Sequence, residues 1–154
     1  MKRYIELVEE QRKAITEIMP WDLAEMTAHG EDMLLLDIRE PAEFSCMHIA
    51  GSLNVPRGIL ESSCEWDYEE TVPELVKARQ RKIVVICHSG YRSVLAAYTM
   101  KQLGYENPCS LKTGLRGWND YEQSLVNANR ETVELDRADE YFTPHVRPEQ
   151  RKPA

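Results

Sequence analysis

Cys87 and Arg92 bracket the run Cys87-His88-Ser89-Gly90-Tyr91-Arg92, which follows directly on the apolar stretch Ile83-Val84-Val85-Ile86. That stretch reads as a buried parallel strand, and Ser93 to Leu103 carries Val94, Leu95, Tyr98 and Leu103 at helical spacing. The cysteine therefore falls at the carboxyl end of a strand, where open α/β sheets bind ligands. Gly90 permits a tight bend, so successive backbone N–H groups converge with the amino end of the next helix into an anion-binding nest. Such surroundings favour the thiolate, and Cys87 is expected to be substantially ionised at neutral pH and nucleophilic. A lone cysteine without Gly90, Arg92 and that helix reads instead as a buried strand-end residue.

Three further segments accompany the loop, in a fixed order. Upstream lies Leu34-Leu35-Leu36-Asp37-Ile38-Arg39-Glu40-Pro41-Ala42-Glu43-Phe44, then His48-Ile49-Ala50-Gly51-Ser52-Leu53-Asn54-Val55-Pro56. Downstream lie Leu103-Gly104-Tyr105 and Gly114-Leu115-Arg116-Gly117-Trp118. Together with the cysteine loop these resemble, over roughly residues 15 to 125, the rhodanese family of single-domain sulfurtransferases. Met47 and Thr113 stand where that family usually has glycine.

The resemblance implies a rhodanese-like α/β fold and a transferase, the thiosulfate:cyanide type of sulfurtransferase. Cys87 would take the outer sulfur of a small anionic donor such as thiosulfate, or of a persulfide, and hold it as a transient cysteine persulfide. No other cofactor is implied. The sulfur would pass to cyanide, to a thiol or to a sulfur-carrier protein. Arg92 and the loop positions Ser89, Gly90 and Tyr91 would hold the donor's charge, a planar guanidinium suiting two oxyanion oxygens. His88 reads as a donor to that anion, a solvent-facing loop residue or an acid. Arg39 either contacts substrate or pairs with Glu40 or Glu43, while Asp37 orients backbone or arginine side chains and Ser93 supports the loop. Phosphatases of related fold have a loop one residue longer, Cys-x-x-x-x-x-Arg. A phosphatase or arsenate-reductase-like enzyme and a non-catalytic binding module are the remaining readings.

The elements that must position the loop follow from the pattern. Residues 1–14 read as an N-terminal helix with Tyr4, Ile5, Val8, Arg12 and Ile15 on one face. Strands are expected at Ile15–Ile18, Met33–Ile38, Ser52–Val55, Lys82–Cys87 and Pro108–Leu111. Helices are expected at Trp21–Ala28, Ala42–Cys46, Val72–Arg79, Ser93–Leu103 and Leu115–Ser124. This alternation predicts a parallel-rich central sheet of about five strands with helices on both faces, over residues 15–125. Residues 126–154, with Pro144, Pro148 and Pro153 among charges, read as an extended or partly disordered arm. Within it Tyr141-Phe142 is apolar enough to pack back on the domain or on a second subunit. The loop from Pro56 to Thr71 carries Trp66, either core or a wall of the pocket mouth.

At 154 residues, 42% apolar and 29% charged, the chain fits one globular domain. A net charge of −7 and scattered basic residues argue against nucleic acid. No run of eighteen apolar residues or signal-peptide core is present, so no membrane partner and a cytoplasmic location are expected. Cys46, Cys64, Cys87 and Cys109 form no Cys-x-x-Cys pair, no histidine cluster accompanies them, and no metal is expected. Cys64, in the polar run Glu61-Ser62-Ser63-Cys64-Glu65-Trp66, is either an ordinary thiol or a partner that resolves oxidised Cys87 as a disulfide.

Overall fold

Two short apolar runs without charge in their middles, Leu34–Asp37 and Lys82–Ile86, are buried on both faces and so take the centre of the sheet. The computed structural model describes residues 1–154. Its elements in chain order are α1 (Tyr4–Arg12), β1 (Thr16–Ile18), α2 (Pro20–Ala28), β2 (Leu34–Asp37), α3 (Pro41–Cys46), β3 (Leu53–Asn54), α4 (Leu60–Ser63) and α5 (Pro73–Val76), followed by β4 (Lys82–Ile86), α6 (Arg92–Gln102), β5 (Asn107–Leu111), α7 (Gly114–Asp120) and α8 (Leu135–Phe142). The five strands form one sheet in the order β1-β5-β4-β2-β3, and every pairing is parallel.

Alternation along the two central strands divides the core. Leu34, Leu36, Ile83 and Val85 face Leu60, Leu75, Ala97 and Met100, contributed by α4, α5 and α6. Leu35, Val84 and Ile86 face the other way, against Leu23 of α2, Leu115 and Trp118 of α7, and Phe142 of α8. Helices therefore cover both faces, as the sequence predicts. The register sets Asp37 opposite Ile86, so the turns that follow β2 and β4 leave the sheet side by side. Arg39 and Cys87 lie at the heads of those turns.

The helix ends differ from the sequence reading by up to four residues, most at the end of α7, and the helix after Val72 is a single turn. Larger differences come outside the βα core. Where an extended or disordered arm is expected, residues 135–142 form α8, which packs on α7 with Ala138 and Phe142 buried. Its apolar residues lie on one face, which pays for order that the surrounding charge obscures. Between Pro56 and Thr71 a 3₁₀ turn at Arg57–Ile59 leads into α4, and Trp66 and Tyr68 are both exposed. Trp66 is thus not core; Lys77 lies over its ring at 5.9 Å.

Thr113, at a usual glycine position, has φ of +67°, a left-handed conformation costly for a β-branched residue. Its side chain occupies the space in which a Cβ on Gly117 would sit. Gly117→Ala, which in an open helix would gain about 1 kcal/mol, should therefore destabilise this chain and be tolerated in a Thr113→Gly background. Urea unfolding of the four chains of that cycle should give a coupling of about 1 kcal/mol or more; additive effects would contradict the packing described.

Candidate active site

Because β4 ends at Ile86, the chain must turn immediately after the sheet, and the turn is braced from β5 and α7. The carbonyls of Cys87 and His88 accept N–H bonds from Leu115 at 2.9 Å and Arg116 at 3.0 Å. That approach requires Gly114, since a Cβ there would lie 2.6 Å from the Cys87 and His88 carbonyl oxygens. Gly90, at φ of +88°, is equally constrained: a Cβ would lie 2.8 Å from the Thr113 nitrogen.

The bend directs donors at sulfur. Cys87 Sγ accepts the backbone N–H of Gly90 at 3.1 Å and of Ser93 at 3.3 Å. Ser93 Oγ lies 3.3 Å from the same sulfur and 2.7 Å from Ser110 Oγ. Two fixed N–H groups and a hydroxyl whose own partner is fixed stabilise negative charge on Cys87. Ser110 has no sequence signal of its own; only its register beside Val85 on β5 brings it there.

Arg92 opens α6 at the rim of the turn, and Glu43 of α3 binds it with both oxygens, at 3.0 and 2.9 Å. Burial pushes the Glu43 carboxyl up, but the Arg92 hydrogen bonds, the Glu40 N–H and the Arg39 charge outweigh it and hold the group below its ordinary value. Glu43 also pushes Arg92 further up. The loop arginine is thus oriented by a carboxylate before any anion arrives.

Arg39 is fully buried, and its partner is Asp37 rather than Glu40 or Glu43: Nε and Nη2 donate to the Asp37 carboxylate at 2.9 to 3.2 Å. Nη2 also donates to the Met47 carbonyl at 2.7 Å, so the Met47 position serves through its backbone. Nη1 is buried with no partner. Asn54 closes the turn by donating to the carbonyls of Asp37 and Arg39.

His88 is not solvent-facing. Its ring lies edge-on to Phe142 at 5.1 Å and 6.4 Å from Tyr141, both of α8. Burial pushes it below its ordinary value, against an opposing backbone hydrogen bond at Phe142. Ser89 is exposed, and Tyr91 lies edge-on to Tyr4 of α1 at 6.0 Å. The structure therefore gathers Cys87, Gly90 and Ser93 around one sulfur and sets Arg92 with Glu43 beside them. Asp37 and Arg39 form the neighbouring turn, while His88 and Tyr91 contact the flanking helices. The sequence reading missed the contributions of Tyr4 and Ser110.

The other thiols lie elsewhere. Cys64 is buried in the core under α4 and α5 rather than in a polar loop, and burial pushes it up. Burial also pushes Cys109 up to about 11. Neither surrounding favours a reactive thiolate.

A parallel five-stranded sheet with a cysteine nest at the carboxyl end of its central strand defines the class, and comparison with known proteins gives the family. Residues 20–121 match the model of the rhodanese-like domain. This chain belongs to the rhodanese-like domain family. It is 32% identical over 112 residues to a sulfurtransferase of Allochromatium vinosum, covering 73% of this chain and 95% of that one. It is 26% identical over 119 residues to the thiosulfate:glutathione sulfurtransferase of Saccharomyces cerevisiae, covering 71% and 84%. A putative sulfur carrier protein of Bacillus subtilis, YrkF, is 32% identical over 109 residues, but the match spans 71% of this chain and only 54% of that protein. Among solved structures, a protein from Rhodopseudomonas palustris described as a possible tyrosine phosphatase superposes with a TM-score of 0.73 at 26% identity, covering 80% of this chain and 93% of that one. The thiosulfate sulfurtransferase of Pseudomonas aeruginosa shares the fold, with a TM-score of 0.64 at 22% identity over 88% of this chain and 25% of that one. No helix is long and apolar enough to cross a membrane.

Two outcomes follow from the buried charges. Asp37→Asn leaves the Arg39 guanidinium uncompensated and should cost about 3 kcal/mol or more in urea unfolding; a loss below about 1 kcal/mol would contradict the pairing. Because folding depresses the affinity of His88 for a proton, the unfolded chain binds protons that the folded chain refuses, and stability should fall as pH drops below about 7. The slope of unfolding free energy between about pH 7 and pH 5 should flatten in His88→Phe, and an unchanged slope would assign it elsewhere.

Proposed function

We propose that this chain is a sulfurtransferase that carries sulfane sulfur as a persulfide on Cys87. The observation that carries this reading is the convergence of the Gly90 and Ser93 N–H groups on Cys87 Sγ within a loop of four intervening residues. With thiosulfate as donor, the Cys87 thiolate attacks the outer sulfur, the S–S bond of the donor breaks, and sulfite leaves with its electron pair. The product is Cys87–S–S⁻, and no external oxidant or proton is needed. Arg92 has five N–H donors, and Glu43 engages its two terminal nitrogens through one bond each, so further donors remain for the sulfonate oxygens. An acceptor thiolate or cyanide then attacks the terminal sulfur and returns Cys87 as thiolate. The kinship with sulfurtransferases of Allochromatium vinosum and yeast supports this reading. A thiol or a sulfur-carrier protein is the proposed acceptor, and the cytoplasm the proposed location.

The likeness to a possible tyrosine phosphatase favours a second reading. Against it, the loop is one residue shorter than the phosphatase pattern Cys-x-x-x-x-x-Arg. Incubation of the reduced chain with thiosulfate should add the mass of one sulfur atom, absent in Cys87→Ser and removed by cyanide with release of thiocyanate. Ser93→Ala, which removes the hydroxyl beside the sulfur, should slow that addition about tenfold. Hydrolysis of p-nitrophenyl phosphate lost in Cys87→Ser, with no sulfur gained from thiosulfate or glutathione persulfide, would establish the phosphatase reading instead.

A further inference from the structure

The family match begins at residue 20, yet a helix that lies wholly before it touches the reactive loop. Tyr4, the first residue of α1, sets its ring edge-on to the ring of Tyr91 with centroids 6.0 Å apart. From the last turn of the same helix, the Arg12 guanidinium lies 5.9 Å from the Tyr91 ring centroid. α1 therefore grips the loop residue that separates Gly90, which donates to the reactive sulfur, from Arg92, which opens α6.

The helix is anchored well enough to hold Tyr4 in place. Val8 is fully buried, and the Arg3 N–H donates to the Glu6 carboxylate at 2.8 Å, which fixes the first turn. Lys101 of α6 donates to the Ala14 carbonyl at 2.7 Å, and Arg12 Nε lies 3.1 Å from a carboxylate oxygen of Glu17 on β1. Tyr4 itself is about half exposed, and its hydroxyl bonds to no group of the protein. Burial and the charge of Cys87 push that hydroxyl up, against the pull of Arg92, so it keeps its proton and stays a hydrogen-bond donor at neutral pH.

Most other donors around the sulfur are already committed. The N–H groups of Gly90 and Ser93 go to Cys87 Sγ, Ser93 Oγ pairs with Ser110 Oγ, and the His88 ring packs on Phe142. Glu43 takes one bond from each terminal nitrogen of Arg92. A sulfonate presents three oxygens to what is left, and a free phenolic O–H gives it an uncharged donor in addition to the guanidinium.

Resting on the sulfurtransferase reading, we infer that Tyr4 is a donor-contact residue, whose O–H bonds a sulfonate oxygen of thiosulfate and biases Cys87 towards donors with an oxyanion leaving group. The Cys87 thiolate attacks the outer sulfur, the S–S bond of the donor breaks, and sulfite leaves with the electron pair; Tyr4 keeps its proton throughout. The working unit then reaches back to α1, beyond the residues that the family match covers.

The test follows loading of the full chain in single turnovers, with thiosulfate and with inorganic tetrasulfide, from which Cys87 takes one sulfur as trisulfide leaves carrying no oxygen. Sulfur gained by mass, corrected for that gained by Cys87→Ser, gives a second-order rate constant for each donor. Tyr4→Phe keeps the ring against Tyr91 and should lower the constant for thiosulfate about tenfold, while that for tetrasulfide changes less than about twofold. Thermal unfolding checks that the variant is as stable as the native chain. Unchanged loading from thiosulfate in Tyr4→Phe overturns the inference, as does an equal loss for both donors, which would make Tyr4 a packing residue of the loop. A native chain that gains sulfur from neither donor overturns the sulfurtransferase reading itself, and the role of Tyr4 with it.

Discussion

The close approach of the α7 amino end to the Cys87 turn is the constraint on which the site depends. Leu115 and Arg116 donate to the carbonyls of Cys87 and His88, and only glycine at 114 leaves room for those contacts. With both carbonyls held from outside, the chain has one tight way round, through Gly90 in the left-handed region. That path turns the next N–H groups inward onto the sulfur. Order around Cys87 is thus set by backbone packing between β4, β5 and α7 and needs no mobile side chain. Preorganised donors of this kind cost no rearrangement when charge appears on the sulfur.

Charge is arranged around this nest in nested pairs. Asp37 and Met47 fix Arg39 in the interior, and Glu43 fixes Arg92 at the rim. The Glu43–Arg92 pair ties the β2–α3 segment to the cysteine loop despite nearly fifty intervening residues. Breaking the Asp37 pair leaves a fully buried charge unpaired and breaking the Glu43 pair a partly buried one, so electrostatics as well as packing fixes the segment.

Much of this was legible in the residues. The apolar runs at Leu34–Leu36 and Ile83–Ile86 place the central strands because both faces must be buried, and Cys87, Gly90 and Arg92 define the turn. The alternating βα pattern gives the parallel sheet but not its order, because pairing between β4 and β5 is a long-range choice. The residues give Asp37 a role in orienting arginine side chains but leave Arg39 between substrate contact and a pair with Glu40 or Glu43, since proximity along a turn does not reveal which carboxylate is buried. In the tail, the Tyr141-Phe142 pair signals packing back on the domain, but the helix that carries it is not legible because α8 takes its order from a single apolar face buried against α7, with Ala138 and Phe142 spaced among charges. Ser110 and Tyr4 reach the site only through strand register and helix docking, neither of which leaves a local pattern.

The central claim is that the Cys87 turn, as folded, receives and holds a sulfur atom. The most direct measurement is a crystal structure of the full chain after exposure to thiosulfate. The account predicts one additional sulfur bonded to Cys87 Sγ, lying within the circle of loop N–H groups, with the Gly90 and Gly114 backbone unmoved. Sulfur bound at Cys46, or a loop that opens to accommodate it, would contradict the account.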